Sequence, residues 1–156
     1  MKVKIADFKI AKAPQILITS GLGSCIGLSL YDKKEKVGGL AHIMLPKSSG
    51  DVVDKFYPRY ADTAIKLILS DLHVHGCKKE NMIAKVAGGA CMFPSLKKDN
   101  KSIGDRNVDS VMEIMQTLNI PVESSDTGGD YGRSIEFHTL TGGMIVKSIM
   151  HGTITI

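Results

Sequence analysis

The sequence predicts an α/β or α+β layered sandwich with a mixed, largely antiparallel sheet and two main helices. Three observations carry this. Ala61, Ala64, Ile65, Ile68, Leu69 and Leu72 recur at three- and four-residue steps, as do Val108, Val111, Met112 and Met115, the spacing of an amphipathic helix. The remaining apolar segments are short and alternating, giving about eight strands, and glycine-rich or charged turns separate them. The apolar stripe of the first helix must pack on the sheet, so two helices and about eight strands give a layered fold.

In chain order, Val3 to Lys12 reads as an extended lead-in, one strand or two short ones, interrupted by Pro14. Gln15 to Thr19 is a strand running into Ser20-Gly21-Leu22-Gly23-Ser24-Cys25. The alternation from Ile26 to Tyr31 and from Lys36 to Leu45, around Asp32-Lys-Lys-Glu35, predicts a β-hairpin. A loop follows through Pro46 to Asp51 and on to Phe56-Tyr57-Pro58, where exposed aromatics are expected. Tyr60 to His75 is the strongest helix, and Gly76 is its stop. Met82 to Ala87 is a strand ending in Gly88-Gly89-Ala90, small residues that suit either a close approach of backbone or substrate, or a tight packing junction. Asn100 to Gly104 reads as loop, Asp105 to Leu118 as the second helix, Pro121 to Ser125 as a strand and Asp126 to Gly132 as loop. Ile135 to Leu140 and Met144 to Met150 form a second hairpin around Thr141-Gly-Gly143, and Thr153 to Ile156 adds an edge strand.

The 156 residues are enough for one domain, 1–156, with a core of ordinary size. Lys and Arg outnumber Asp and Glu by 20 to 16, and the excess is scattered, which gives no nucleic-acid stripe. No secretory segment and no apolar run of about 18 residues occurs, so no membrane insertion is expected and a cytoplasmic location is. Three cysteines in no framework spacing argue against a disulfide scaffold. No Cys-x-x-Cys occurs, and His73-x-His75 falls at a helix end, where a histidine serves the last carbonyls. No metal and no cofactor are expected.

The chemistry centres on Cys25, delivered after two glycines that free the backbone. A thiol nucleophile needs a base. Pairing Tyr31 with Lys36 in the hairpin sets Cys25 directly across from His42, at a Cβ separation of roughly 4.5 to 5.5 Å. A slip of one residue would put the two on opposite faces. Amides of the glycine turn, at Gly21, Gly23 and Ser24, together with that of Cys25, are the candidates for stabilising an oxyanion. Cys91, after Gly88-Gly89, is the runner-up nucleophile; Cys77 has no partner at hairpin range.

Thr19-Ser-Gly-Leu-Gly-Ser-Cys25 followed by His42-Ile-Met-Leu-Pro46 resembles the CheD family of chemoreceptor glutamine deamidases. Tyr60-Ala-Asp-Thr-Ala64, Lys85-Val-Ala-Gly-Gly-Ala90, Ile103-Gly-Asp-Arg-Asn107 and Asp126-Thr-Gly-Gly-Asp-Tyr-Gly-Arg133 resemble further family blocks, in family order. The resemblance implies a fold similar to the Cys-His toxins that deamidate glutamine, methyl-accepting chemoreceptors as substrate, and the CheC phosphatase as a second partner. It also implies a third site residue at Thr19, as an orienter of the imidazole, with Ser20 its local competitor. From the residues alone, a thiol-dependent peptidase or small-molecule amidase and a non-catalytic regulatory module stay open. Recognition is expected on the rim from Ser48 to Tyr60 and on the loop from Asp126 to Gly132.

Overall fold

The computed structural model describes residues 1–51, 53, 57–96 and 98–156. Its strands are β1 (Asp7–Lys12), β2 (Ile16–Leu22), β3 (Ile26–Asp32), β4 (Val37–Ile43), β5 (Met82–Gly88), β6 (Val122–Thr127), β7 (Arg133–His138), β8 (Gly143–Ser148) and β9 (Gly152–Thr155). Its helices are α1 (Ala61–Val74) and α2 (Ile103–Thr117). The strands form two sheets, ordered β1-β4-β3-β5-β6 and β2-β7-β8-β9. Only the β5–β6 pair is parallel, with α2 in the connection between them, as a parallel crossover requires.

Three layers result. Ile26, Leu28, Leu30, Ala41 and Ile43 on one face of the five-stranded sheet pack against Ile65, Ile68 and Leu72 of α1 and Val111 and Met115 of α2. Its other face meets the four-stranded sheet through Leu17, Leu22, Tyr31, Leu40, Ile135 and Phe137. Central strands covered on both sides must be apolar or small throughout, and every residue of β3 and β4 is buried. Gly27 shows why size matters there: a Cβ on it would lie 2.4 Å from Ile135 Cδ1.

The sequence-derived hairpin register is corrected by two residues. Asp32 pairs with Val37 and Tyr31 with Gly38, so Gly27, not Cys25, stands opposite His42. The cause is Asp32. Read as a loop residue because of its charge, it is instead fully buried at the end of β3. Its Oδ1 accepts the amides of Lys34 (2.9 Å) and Glu35 (3.2 Å), and its Oδ2 accepts that of Lys78 (2.9 Å). An aspartate that satisfies the turn's own amides draws the loop one step later. A slip of two preserves the alternation, so Ile26, Leu28 and Leu30 still share a face with Val37, Gly39 and Ala41.

Other boundaries differ by smaller amounts. α2 begins at Ile103 rather than Asp105 because Ser102 and Asp105 form a reciprocal capping box, Asp105 N donating to Ser102 Oγ at 3.0 Å and Ser102 N to Asp105 Oδ2 at 2.8 Å. His75 closes α1, its ring Nδ1 at 2.8 Å from the Asp71 carbonyl. Tyr57 is exposed; Phe56 lies outside the described residues. Among the described residues no helix is long and apolar enough to cross a membrane.

The Gly88-Gly89-Ala90 corner is a packing junction. Gly88 has φ +109°, and a Cβ there would sit 2.2 Å from the backbone oxygen of Cys25. Gly128 also has a positive φ, +80°, but nothing within 4 Å of its Cβ position. Gly88→Ala is therefore expected to lower the unfolding free energy by roughly 2–4 kcal/mol, through strain plus a backbone clash. Gly128→Ala, with strain alone, should cost about 1 kcal/mol. Urea denaturation of both variants checks the difference.

Candidate functional site

Cys25 sits where the chain changes sheets. β2 belongs to one sheet and β3 to the other, so residues 23–25 cross the gap between them. A bulge between Ser20 and Leu22 against β7 ends β2, with Gly21 at φ +76° as the extra residue. Bulges re-aim a strand in this way. The crossing segment is tied down carbonyl by carbonyl: Ala90 N donates to Gly23 O (2.9 Å), Asn107 Nδ2 to Ser24 O (2.8 Å) and Gly89 N to Cys25 O (2.9 Å). Three hydrogen bonds from two separate elements, the corner after β5 and α2, thus satisfy three successive carbonyls of the turn.

His42 lies on β4, fully buried, in the layer between the sheets. Thr19, on β2 of the opposite sheet, reaches across with Oγ1 2.8 Å from His42 Nδ1. The same hydroxyl donates to the carbonyl of Val3 at 3.0 Å. A hydroxyl has one proton to give. With that proton on the Val3 carbonyl, Thr19 accepts from Nδ1–H, which leaves Nε2 as the ring's basic nitrogen. Nε2 is buried and has no hydrogen-bond partner among the described residues.

The structure thus brings Thr19 and His42 together and places Cys25 in the same layer, half-buried and packed with the cluster of Leu22, Ala87 and Ile135. No hydrogen bond joins the thiol to Nε2. Cys25 stands in the bend two residues before Gly27, which pairs with His42, and contacts between catalytic groups commonly tighten only when substrate is bound. Burial raises the Cys25 thiol above its ordinary value and lowers the His42 imidazole below its own. Both shifts have burial as their cause and favour the uncharged forms, a thiol and a neutral imidazole, over an ion pair.

Of the turn amides, that of Gly23 donates to Gly21 O at 3.1 Å. Gly21 opens onto a cleft of about 430 Å³ lined by Met92, Tyr131, Arg133, Ile149 and Met150. The loop 126–132 borders it, folded around buried Arg133, whose Nε and Nη2 donate to Asp126 at 2.9 and 3.1 Å and whose Nη1 donates to Gly128 O at 2.9 Å. The Tyr131 ring covers the guanidinium at 4.0 Å. Within this loop Gly128 N donates to Gly88 O and Gly129 O accepts from Cys91 N, so Cys91 is a neighbour of the loop through its backbone. Cys77 is buried, its thiol pushed up to about 11 by burial and by Asp32 and Glu35, which makes it unreactive. The rim from Ser48 to Tyr60 lies partly outside the described residues. Among those described, no group of three or more His, Cys, Asp or Glu is placed to hold a metal ion.

Sequence reasoning missed the Val3 carbonyl, Asn107 and Arg133. The last two do end blocks that the sequence marks out, Ile103–Asn107 and Asp126–Arg133; the partners of Asn107 are 83 and 63 positions away and only the fold reveals them, whereas those of Arg133 lie within its own loop.

A family model described as CheD chemotactic sensory transduction matches residues 44–148. Thr19, Cys25 and His42 precede that stretch. Matches to whole proteins extend over them. A "Probable chemoreceptor glutamine deamidase CheD" of Syntrophomonas wolfei is 48% identical over 153 residues, 97% of this chain and 95% of that protein. One of the same description from Caldanaerobacter subterraneus is 44% identical over 97% of this chain and 94% of its own length. The "Chemoreceptor glutamine deamidase CheD" of Bacillus licheniformis is 43% identical over 100% of this chain and 94% of its own. Among solved structures, the Bacillus licheniformis hypothetical protein YfiH superposes with a TM-score of 0.51 at 12% identity, over 80% of this chain. This chain spans about half of that one, 51%, and the likeness is one of fold. With a family model across two-thirds of its length and full-length relatives at 43 to 48% identity, the chain belongs to the CheD family.

Proposed function

We propose that the protein is a glutamine deamidase of chemoreceptors, hydrolysing side-chain carboxamides to carboxylates through a Cys25 thioester. The observation that carries this reading is the buried His42 imidazole, held by Thr19 at Nδ1 with Nε2 unpartnered beside the turn that bears Cys25. The names of the full-length relatives supply the substrate class.

In this reading Nε2 takes the thiol proton as sulfur attacks the carboxamide carbon, and the amides of Ser24 and Cys25 stabilise the oxyanion. The imidazolium returns the proton to the departing nitrogen, and ammonia leaves. Water, deprotonated by the same nitrogen, attacks the thioester carbon; the C–S bond breaks, the product is glutamate, and the thiol is restored. Thr19 carries no charge, so its contribution is to keep the ring's tautomer and aim rather than to stabilise the imidazolium electrostatically. The open cleft beside Gly21 admits a side chain presented on a protein surface, and its apolar lining suits one face of an amphipathic helix. CheC is the second partner, and we place it on the same face, so that receptor and CheC compete.

Cys25→Ala is expected to abolish deamidation of a purified receptor cytoplasmic domain, and His42→Ala to lower it about 100-fold or more. Cys77→Ala and Cys91→Ala should retain most activity. Peptide mass mapping reads the reaction as a gain of about 1 Da at glutamine with the backbone uncut; fragments would instead identify a peptidase, and full activity in Cys25→Ala would refute the mechanism.

The pH profile has a definite sign. The base must be neutral, and burial holds the His42 pKa below its ordinary 6.5, so activity should persist through pH 6.5 and fall only at more acidic pH. Thr19→Val should lose about tenfold in kcat, while Thr19→Ser stays near the wild type because it keeps the hydroxyl. Steady-state assays between pH 5 and 8 test both. A stable ternary complex of the protein, CheC and receptor in a pull-down would exclude the shared face.

A further inference from the structure

Asn107 is fully buried in the second turn of α2, and the reaction just described gives it no part. Its side-chain nitrogen donates twice, to Ser24 O at 2.8 Å and to Met44 O at 2.9 Å. The first acceptor immediately precedes Cys25; the second lies two residues beyond His42. One carboxamide therefore spans the turn that carries the thiol and the end of the strand that carries the imidazole. Its orientation is fixed by chemistry, since the reversed amide would set Oδ1 against two carbonyl oxygens.

The price of that orientation is visible at the other end of the same group, where Asn107 Oδ1 is buried without a hydrogen-bond partner among the described residues. Core packing alone does not explain a residue that leaves a buried acceptor unsatisfied, because an apolar side chain of similar size would avoid the orphan. The helix is itself seated firmly: the capping box fixes its first turn, and a Cβ on Gly104 would lie 2.4 Å from Ala90 O. Asn107 thus projects from a rigid element, and Ala90 and Gly89 on the adjoining corner bind the two carbonyls that flank Ser24.

We propose that Asn107 is a positioning residue for the deamidation, setting the spacing of Cys25 and His42 by holding the Ser24 and Met44 carbonyls at a fixed separation. This rests on the reading of those two residues as nucleophile and base. Asn107 touches neither reacting atom, and its effect is on alignment, which is why it should act on kcat rather than on substrate affinity.

The test compares Asn107→Ala with Val111→Ala, a core truncation one turn further along the same helix that loses stability without touching either carbonyl. Two readouts are taken on the full chain: kcat and KM on a purified receptor cytoplasmic domain, and the pH dependence of Cys25 alkylation by iodoacetamide, resolved by peptide mapping. Asn107→Ala is expected to lower kcat about 10- to 100-fold with KM within about twofold, and to shift the alkylation profile to that of His42→Ala. Val111→Ala should keep the wild-type profile. Asn107→Asp, of the same shape but with no N–H to offer, should match Asn107→Ala and serves if the alanine variant does not fold. An Asn107 variant whose alkylation profile coincides with the wild type overturns the proposal. The dyad itself is judged separately, by whether His42→Ala changes the profile at all.

Discussion

The bridge from the Val3 carbonyl through the Thr19 hydroxyl to His42 Nδ1 is the contact on which the site depends. It crosses between the two sheets, and each of its partners comes from a different element: the N-terminal segment, β2 and β4. The segment before β1 is held to both sheets, Val3 N donating to Ile18 O and Ala6 N to His42 O, so the carbonyl that receives the threonine proton cannot drift from the imidazole it indirectly orients. In a buried, low-dielectric layer a hydrogen-bond chain of this kind is strong, and a missing member would leave an unpaired polar group. Burial and tautomer control are thus the same device, since the desolvation that keeps His42 neutral also makes its partnership with Thr19 compulsory.

Around that bridge the fold is a set of close approaches. β3 can lie under the second sheet because Gly27 offers no side chain where Ile135 packs, and β5 can meet the cysteine turn because Gly88 offers none where the Cys25 carbonyl lies. The stiffness of the turn comes from outside it. Its own residues are small and flexible, and acceptors on three successive peptide units are filled by donors from the β5 corner and from α2. A flexible sequence made rigid by its surroundings lets the backbone adopt an unusual path without relying on local propensity.

Much of this was legible from the residues. Alternation assigned each side chain of the hairpin to a face, and a face survives a two-residue error in register, which is why Ile26, Leu28 and Leu30 were grouped correctly although Tyr31 was paired with the wrong residue. Alternation does not say which sheet a strand joins. β2 and the β7–β8 hairpin read as parts of one mixed sheet, and only their pairing with each other separates them. Asp32 misled because a charge between two strands looks like a turn residue, whereas three amides make its burial favourable. The Ser102-x-x-Asp105 cap was present in the sequence as a local signal and moved the helix start by two residues. Asn107 and the Val3 carbonyl had no local signal at all: their roles exist only through partners 83 and 16 positions away.

Those separations have a kinetic meaning. A chain that has formed its hairpins and helices but not docked α2 lacks the Asn107 donor on the Ser24 carbonyl, and the turn bearing Cys25 is then tied only through its Gly23 and Cys25 carbonyls. The two Asn107 contacts, which close loops of 83 and 63 positions, form late, because loop closure must precede them. The separation of the cysteine turn from the end of β4 is thereby among the last distances in the molecule to be fixed, settled only when α2 has docked.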